Sequence, residues 1–156
     1  MDINLEEIKI REFTSGDKDL VDAFFGQMGG ETRALFDRDS GNHKNALKYF
    51  SGEAKNKIYF LAEHRGIMVG YIFLWDIDTM VPWLGIAVHD EYKGKRLGRK
   101  LMQFLIDYAR NKGKGGLLLT THISNIRGQG LYDRMGFERM GTYLDGEVLY
   151  LLRFKN

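Results

Sequence analysis

Five cations crowd the stretch from Tyr92 to Lys100 (YKGKRLGRK): Lys93, Lys95, Arg96, Arg99 and Lys100. They stand at the start of a helix, the unfavourable end for positive charge. The helix dipole is positive there and the first N–H groups lack intrahelical acceptors. A bound phosphate resolves the conflict, because free N–H groups, dipole and basic side chains then face one anion. Taken alone, the loop reads equally well as a solvated basic turn. Further on, the run NIRGQGLYDRMGF carries Asn125, a natural helix cap, and Tyr132. Other chemistries are excluded or unsupported. The chain has no cysteine, hence no disulfide, thiol nucleophile or thiolate metal site. His43, His64, His89 and His122 are scattered without metal-ligand spacing, so no metal is expected. No GxSxG-type nucleophile is present.

Stepping along the 156 residues, one domain spanning 1–156 is the expectation. Hydrophobic residues at 44% and charged residues at 28% place the chain among globular proteins rather than disordered ones. Net charge is only +2, so the positive charge of the loop is local and a broad nucleic-acid surface is not expected. Without a secretory signal, a glycosylation sequon or an apolar run of membrane-spanning length, a soluble cytoplasmic protein is expected, with no membrane partner.

Periodicity supplies the elements that would position these groups. Ile8 to Phe13 alternates as a half-buried strand. Asp17 can cap a helix carrying Leu20, Val21, Phe24, Phe25 and Met28, ended by Gly29-Gly30. Residues 31–50 read as helical but interrupted by a polar break at Asp39-Ser40-Gly41-Asn42. KIYFLAEH and IMVGYIFLWDI form a hairpin across His64-Arg65-Gly66, and Pro82 opens the strand WLGIAVH. From about Arg96 to Asn111, Leu97, Leu101, Phe104, Leu105, Tyr108 and Ala109 form a buried helical stripe. A buried strand LLLTTH, a short helix ended by Gly136, and two strands joined at Asp145-Gly146 complete the chain. The expected fold is α/β (α+β): a mixed sheet of about seven strands with helices on both faces.

Order and motifs together resemble the GNAT superfamily of acyl-CoA-dependent N-acyltransferases. The segment LGIAVHDEYKGKRLGRKLM is similar to that family's pyrophosphate-binding strand, loop and helix. NIRGQGLYDRMGF is similar to its pattern of Asn, a small residue three later, Leu-Tyr, then Gly-Phe. The likeness runs from about Ile8 to Phe154 and is weakest over 14–55. Two positions depart from the pattern. Where the family loop has Gln or Arg, Gly, and Gly or Ala, this chain has Lys93, Arg96 and Gly98; where its second motif has Ala, this chain has Gly128. Arg96 therefore either points outward, toward a phosphate, or alters acyl-CoA binding.

The resemblance implies acetyl-CoA as cosubstrate and a set of roles. The backbone of Lys93, Gly94, Lys95, Arg96, Leu97, Gly98 and Arg99 would hold the pyrophosphate, with Lys93, Lys95, Arg96 or Arg99 meeting its oxygens. The strand holding Ile86 and Val88 would diverge from the next one and meet the pantetheine arm, the Val88 N–H serving the thioester carbonyl as it becomes an oxyanion. Gly85 and Ala87 would keep that strand's face open. Asn125 would bond the pantetheine arm, cap its helix, or both. Tyr132 would protonate the departing thiolate. A general base is less legible. An amine of Lys-like pKa is about one part in 10³ neutral at pH 7, a cost of roughly 4.6 kcal/mol. Where some relatives carry Glu, this chain has Thr120; His122, two residues on, shares its strand face and is one candidate, with Asp76, Asp78, His89 and water as others. Asp76, Asp78, Asp145 and Glu147 could attract a cationic amine. The implied function is acetyl transfer to a primary amine by direct attack, with a small-molecule acceptor favoured. A protein or peptide amino terminus or lysine is the alternative, and a non-catalytic acyl-CoA-binding regulator a second one. A homodimer is a family habit.

Overall fold

A computed structural model describes residues 3–37 and 41–155. Its seven strands are β1 (Lys9–Glu12), β2 (Lys57–His64), β3 (Ile67–Trp75), β4 (Trp83–Val88), β5 (Gly116–His122), β6 (Glu138–Thr142) and β7 (Glu147–Arg153). They form one sheet in the order β1-β2-β3-β4-β5-β7-β6, antiparallel except for the β4–β5 pair. The helices are α1 (Lys18–Gly26), α2 (Gly30–Phe36), α3 (Gly41–Leu47), α4 (Leu97–Asn111) and α5 (Ile126–Arg134). The mixed sheet with helices on both faces is the fold expected from the sequence.

β3 is apolar at nearly every position because both its faces are covered. Val69, Ile72 and Leu74 join the core under α4, where Leu97, Leu101, Met102 and Leu105 are fully buried. Met68, Tyr71 and Phe73 join an aromatic core under α1 with Phe13, Phe24, Phe25 and Tyr59. The stripe on α4 is wider than its period indicates: Met102 and Ile106 are buried too, while Phe104 and Tyr108 pack edge-on against Phe60. The β2–β3 turn at Arg65-Gly66 and the β6–β7 connection at Asp145-Gly146 each use consecutive positive φ values, as tight hairpins require. Of the polar break in 39–42, Asp39 and Ser40 lie outside the described residues, and Gly41 and Asn42 begin α3.

Asp17 does not cap α1 with its side chain. Its carboxylate is taken instead by the Arg11 guanidinium at 2.8 and 2.9 Å and by the Thr14 N–H at 2.7 Å. A bidentate, charge-assisted pair outcompetes a single neutral N–H. The Arg11 fork, aided by Thr14 and opposed by burial, holds the Asp17 carboxyl at about 2 against an ordinary 3.8. A depressed carboxyl stabilises the fold above its unfolded pKa and ceases to do so as pH falls through the folded value. Between about pH 4 and pH 2 the protein is therefore expected to lose about 1–2 kcal/mol through this group, allowing for the partial exposure of Arg11. Urea melts across that window should show the loss, and Asp17→Asn should flatten it; an unchanged acid limb in Asp17→Asn would contradict the pairing.

Candidate active site

β4 and β5 run parallel but share a single paired position, Trp83 with Leu118. Beyond it they separate. The Leu118 N–H donates to Pro82 O at 3.0 Å, and His89 N donates to Val69 O at 2.8 Å on the opposite side of β4. In an antiparallel ladder, alternate residues turn their N–H and C=O groups to opposite edges. The backbone groups of Ile86 and Val88 consequently point away from β3, into the gap, as do those of Thr120 across it. The gap opens into a cleft of about 1830 Å³, lined on one side by α4 and α5 and on the other by α2 and the strand ends.

At its α4–α5 end the cleft gathers glycine backbone and cations. Gly94 and Arg96 both lie in the left-handed region, at φ 76° and 69°. This nest-like turn leaves the N–H groups of residues 94–99 without backbone acceptors among the described residues. Gly94, Arg96, Gly98 and Arg99 line the cleft. Arg96 holds a conformation that glycine adopts freely and other residues adopt at a cost of about 1–2 kcal/mol; its side chain is exposed at the cleft margin. Lys93 also lines the cleft, but its ammonium is held by Thr32 Oγ at 2.6 Å and Asp90 at 3.2 Å. Asp90 in turn accepts from Gly29 N at 2.9 Å and Thr32 Oγ at 2.7 Å, tying the start of α2 to the loop. Lys95 is exposed outside the cleft, and the Leu97 side chain is buried in the core, so only its backbone can face an anion. The sequence reading overlooked Arg127 and Arg134. Arg127, in the first turn of α5, reaches over Gly94, where an added Cβ would meet its Nη1 at 3.6 Å. Its position at a second helix start, again the wrong end for a cation, was the available signal.

Tyr132 is buried at the cleft wall, its ring 5.5 Å from Tyr150 and 6.0 Å from Phe137. Burial raises its hydroxyl above the usual phenol range, and the neighbouring Tyr150 and Glu147 add to the rise. The group stays protonated throughout the physiological range. Asn125 lines the cleft and caps α5, accepting from Gly128 N at 3.1 Å and donating to Thr121 Oγ at 2.9 Å. That arrangement needs Gly128: a Cβ there would lie 2.3 Å from Asn125 Nδ2.

Two expectations fare differently. The bare face of Gly85 is not left open, because the Phe73 ring covers it; a Cβ at 85 would fall 2.1 Å from that ring. Gly85→Ala is therefore expected to cost about 1–3 kcal/mol by overpacking, read as a lower midpoint in thermal or urea melts; an unchanged midpoint would contradict the contact. His122 does not reach the cleft. Its Nδ1 bonds Ser124 Oγ at 2.7 Å and Ser124 N at 3.2 Å, and its Nε2 lies against Gly146. The short turn after β5 draws the ring to its own backbone.

The opposite end of the cleft is acidic and aromatic. Asp76 and Glu147 line it with Phe36, Trp75, Trp83 and Tyr143, and the Trp83 and Tyr143 ring centroids lie 6.0 Å apart. All lining cations, Lys93, Arg96, Arg99, Arg127 and Arg134, belong to the other end. Among the described residues no group of His, Asp and Glu could hold a metal, and no helix is long and apolar enough to cross a membrane.

Known proteins resemble this chain in sequence or in fold. A phage enzyme, the 5-NmdU N-acetyltransferase of Pseudomonas phage PaMx11, is 31% identical over 70% of this chain and 78% of its own. A candidate ribosomal protein bS18-alanine N-acetyltransferase of Bacillus subtilis is 30% identical, over 53% of this chain and only 55% of its own length. Among solved structures, the ribosomal-protein-S5-alanine acetyltransferase of Vibrio fischeri superposes with a TM-score of 0.79 over 98% of this chain and 96% of its own, at 14% identity. The yncA protein of Salmonella typhimurium, solved with acetyl-CoA, superposes with a TM-score of 0.75 over 96% and 95%, at 20% identity. The sequence profile described as the Acetyltransferase (GNAT) family matches residues 20–137. With that match covering most of its length, the chain belongs to the GNAT acetyltransferase family.

Proposed function

We propose that this protein transfers the acetyl group of acetyl-CoA to the nitrogen of a small, cationic primary amine, by direct attack and without an acetylated enzyme. The observation that carries the proposal is the polarity of one continuous cleft: unpartnered N–H groups and cations at one end, exposed strand backbone in the middle, carboxylates and aromatic rings at the other.

The donor fits what is present. The N–H groups of residues 94–99 with Arg96, Arg99 and Arg127 suit a diphosphate, and the free edges of Ile86, Val88 and Thr120 suit an amide-bearing arm. Bound acetyl-CoA supplies the acetyl group as a thioester. The Val88 N–H is the donor to the carbonyl oxygen as charge builds on it, a role worth roughly 2.7–4 kcal/mol where such donors have been removed. The Tyr132 hydroxyl, kept protonated by burial, gives its proton to the departing sulfur.

Acetylation of a protein amino terminus or lysine is the alternative, supported by the likeness to ribosomal-protein alanine acetyltransferases. A non-catalytic acyl-CoA-binding role is the third reading, motivated by Arg96. Release of free CoA thiol from acetyl-CoA, followed with a panel of small amines and an Ala-initiated peptide, separates them. Small-amine-dependent release supports the proposal, peptide-only release supports the alternative, and tight acetyl-CoA binding without release supports the regulator.

A further inference from the structure

We propose that Glu147 is the group that takes the proton from the acceptor, and that the chamber around it selects a primary amine on an aromatic or apolar body with no carboxylate beside the nitrogen. The inference rests on the transferase reading above and names its acceptor and its base.

Glu147 opens β7 and pairs with His122, one step beyond the pairing of Thr120 with Leu149 on the same sheet face. Its carboxylate thus stands on the face that Thr120 presents. It lines the cleft, is half-buried, and has no ion-pair or hydrogen-bond partner among the described residues. Tyr132 lies on the opposite sheet face, packed on Tyr150. Both nevertheless line the one cleft that opens from the β4–β5 gap, Tyr132 from one sheet face and Glu147 from the other. Among other carboxylates of the cleft, Asp90 is already held by Lys93, Thr32 and Gly29, while Glu31 and Asp76 are exposed at the rim.

The walls decide what the amine carries. Phe36, Trp75, Trp83 and Tyr143 offer ring faces, which suit an apolar body and attract an ammonium. None of the residues lining this end is Lys or Arg, and the nearby Lys57 ammonium already stands over the Trp75 ring and is drawn to Asp76, so a carboxylate next to the nitrogen would meet Glu147 without a free counter-charge. In the reaction the C–N bond forms as the C–S bond breaks, and ammonium plus thioester become amide, thiol and one proton. Glu147 accepts the first ammonium proton and releases it to water. The second nitrogen proton restores the Tyr132 hydroxyl after that group has protonated the sulfur.

The test uses 2-phenylethylamine and phenylalanine, which share a ring and differ at the carboxylate. Thiol release is measured for both with the wild-type protein and with Glu147→Gln, from neutral to alkaline pH, with desulfo-CoA affinity measured by calorimetry in each. The expected result is turnover of 2-phenylethylamine, with kcat/KM for phenylalanine lower by about tenfold or more. Glu147→Gln should lower kcat/KM about a hundredfold at neutral pH, with the deficit shrinking as pH nears the amine pKa of about 10 and with desulfo-CoA affinity unchanged. Full turnover in Glu147→Gln overturns the base, and equal use of phenylalanine overturns the selectivity. Desulfo-CoA binding without release from either amine overturns the acceptor chamber alone, whereas failure to bind desulfo-CoA overturns the transferase reading beneath it.

Discussion

Tyr132→Phe is expected to lower kcat about a hundredfold, the lower range for loss of a positioned acid, while acetyl-CoA affinity changes by less than about twofold. The split follows from where the hydroxyl sits. The ring is buried against Tyr150 and Phe137, and phenylalanine preserves those contacts, so the fold and the cleft wall survive. The hydroxyl makes no hydrogen bond with the described residues, so its loss orphans no protein partner. What disappears is a proton available to a leaving sulfur. Because burial raises this group above the usual phenol range, its deprotonation should not limit the wild-type rate at physiological pH. A mutant with full kcat would remove the acid role and leave the thiolate to depart unassisted.

Gly98→Phe is expected to weaken acetyl-CoA binding by a hundredfold or more, about 2.8 kcal/mol, with the far-UV spectrum preserved. Gly98 lies in the first turn of α4, where a Cβ would already stand 3.2 Å from Leu131 Cδ2 and 4.0 Å from Val88 Cγ2. A ring at 98 cannot enter the packed side and must occupy the cleft between α4, α5 and the gap. Arg96→Gly is the informative companion. It removes one cation of several and relaxes a left-handed backbone, so binding should persist within about threefold. Wild-type affinity in Gly98→Phe would remove the phosphate-loop assignment.

The sheet and its helices were legible because their signals are local. Alternation marked β1, the apolar stripe from Leu97 to Ala109 marked α4, and the Asn125 to Phe137 run marked the turn into α5. The gap between β4 and β5 was legible only through family resemblance, since nothing in WLGIAVH or LLLTTH indicates that the two strands part after one pair. Other features depend on which side chains the fold brings together. Arg127 joins the anion end because α5 lays it over Gly94, and Phe73 fills the face of Gly85 because those residues pair across β3 and β4. His122 looked available by strand parity, yet the turn at Ser124 captures its ring. By sequence, Glu147 is only one of four acidic residues that could draw an amine. Its place beside Thr120 depends on the register of β5 with β7, which the sequence does not display. Asp17 shows the same limit on a smaller scale: its position before α1 was readable, its capture by Arg11 was not.

Calorimetric titration of the purified protein with acetyl-CoA, alongside desulfo-CoA and ATP, tests the donor site most directly. One-to-one binding of acetyl-CoA and desulfo-CoA at about micromolar affinity is expected, with ATP far weaker because it lacks the arm that the free edges of Ile86 and Val88 would meet. No saturable heat with acetyl-CoA, or ATP binding as tightly as acetyl-CoA, would contradict the assignment of this cleft to the acetyl donor.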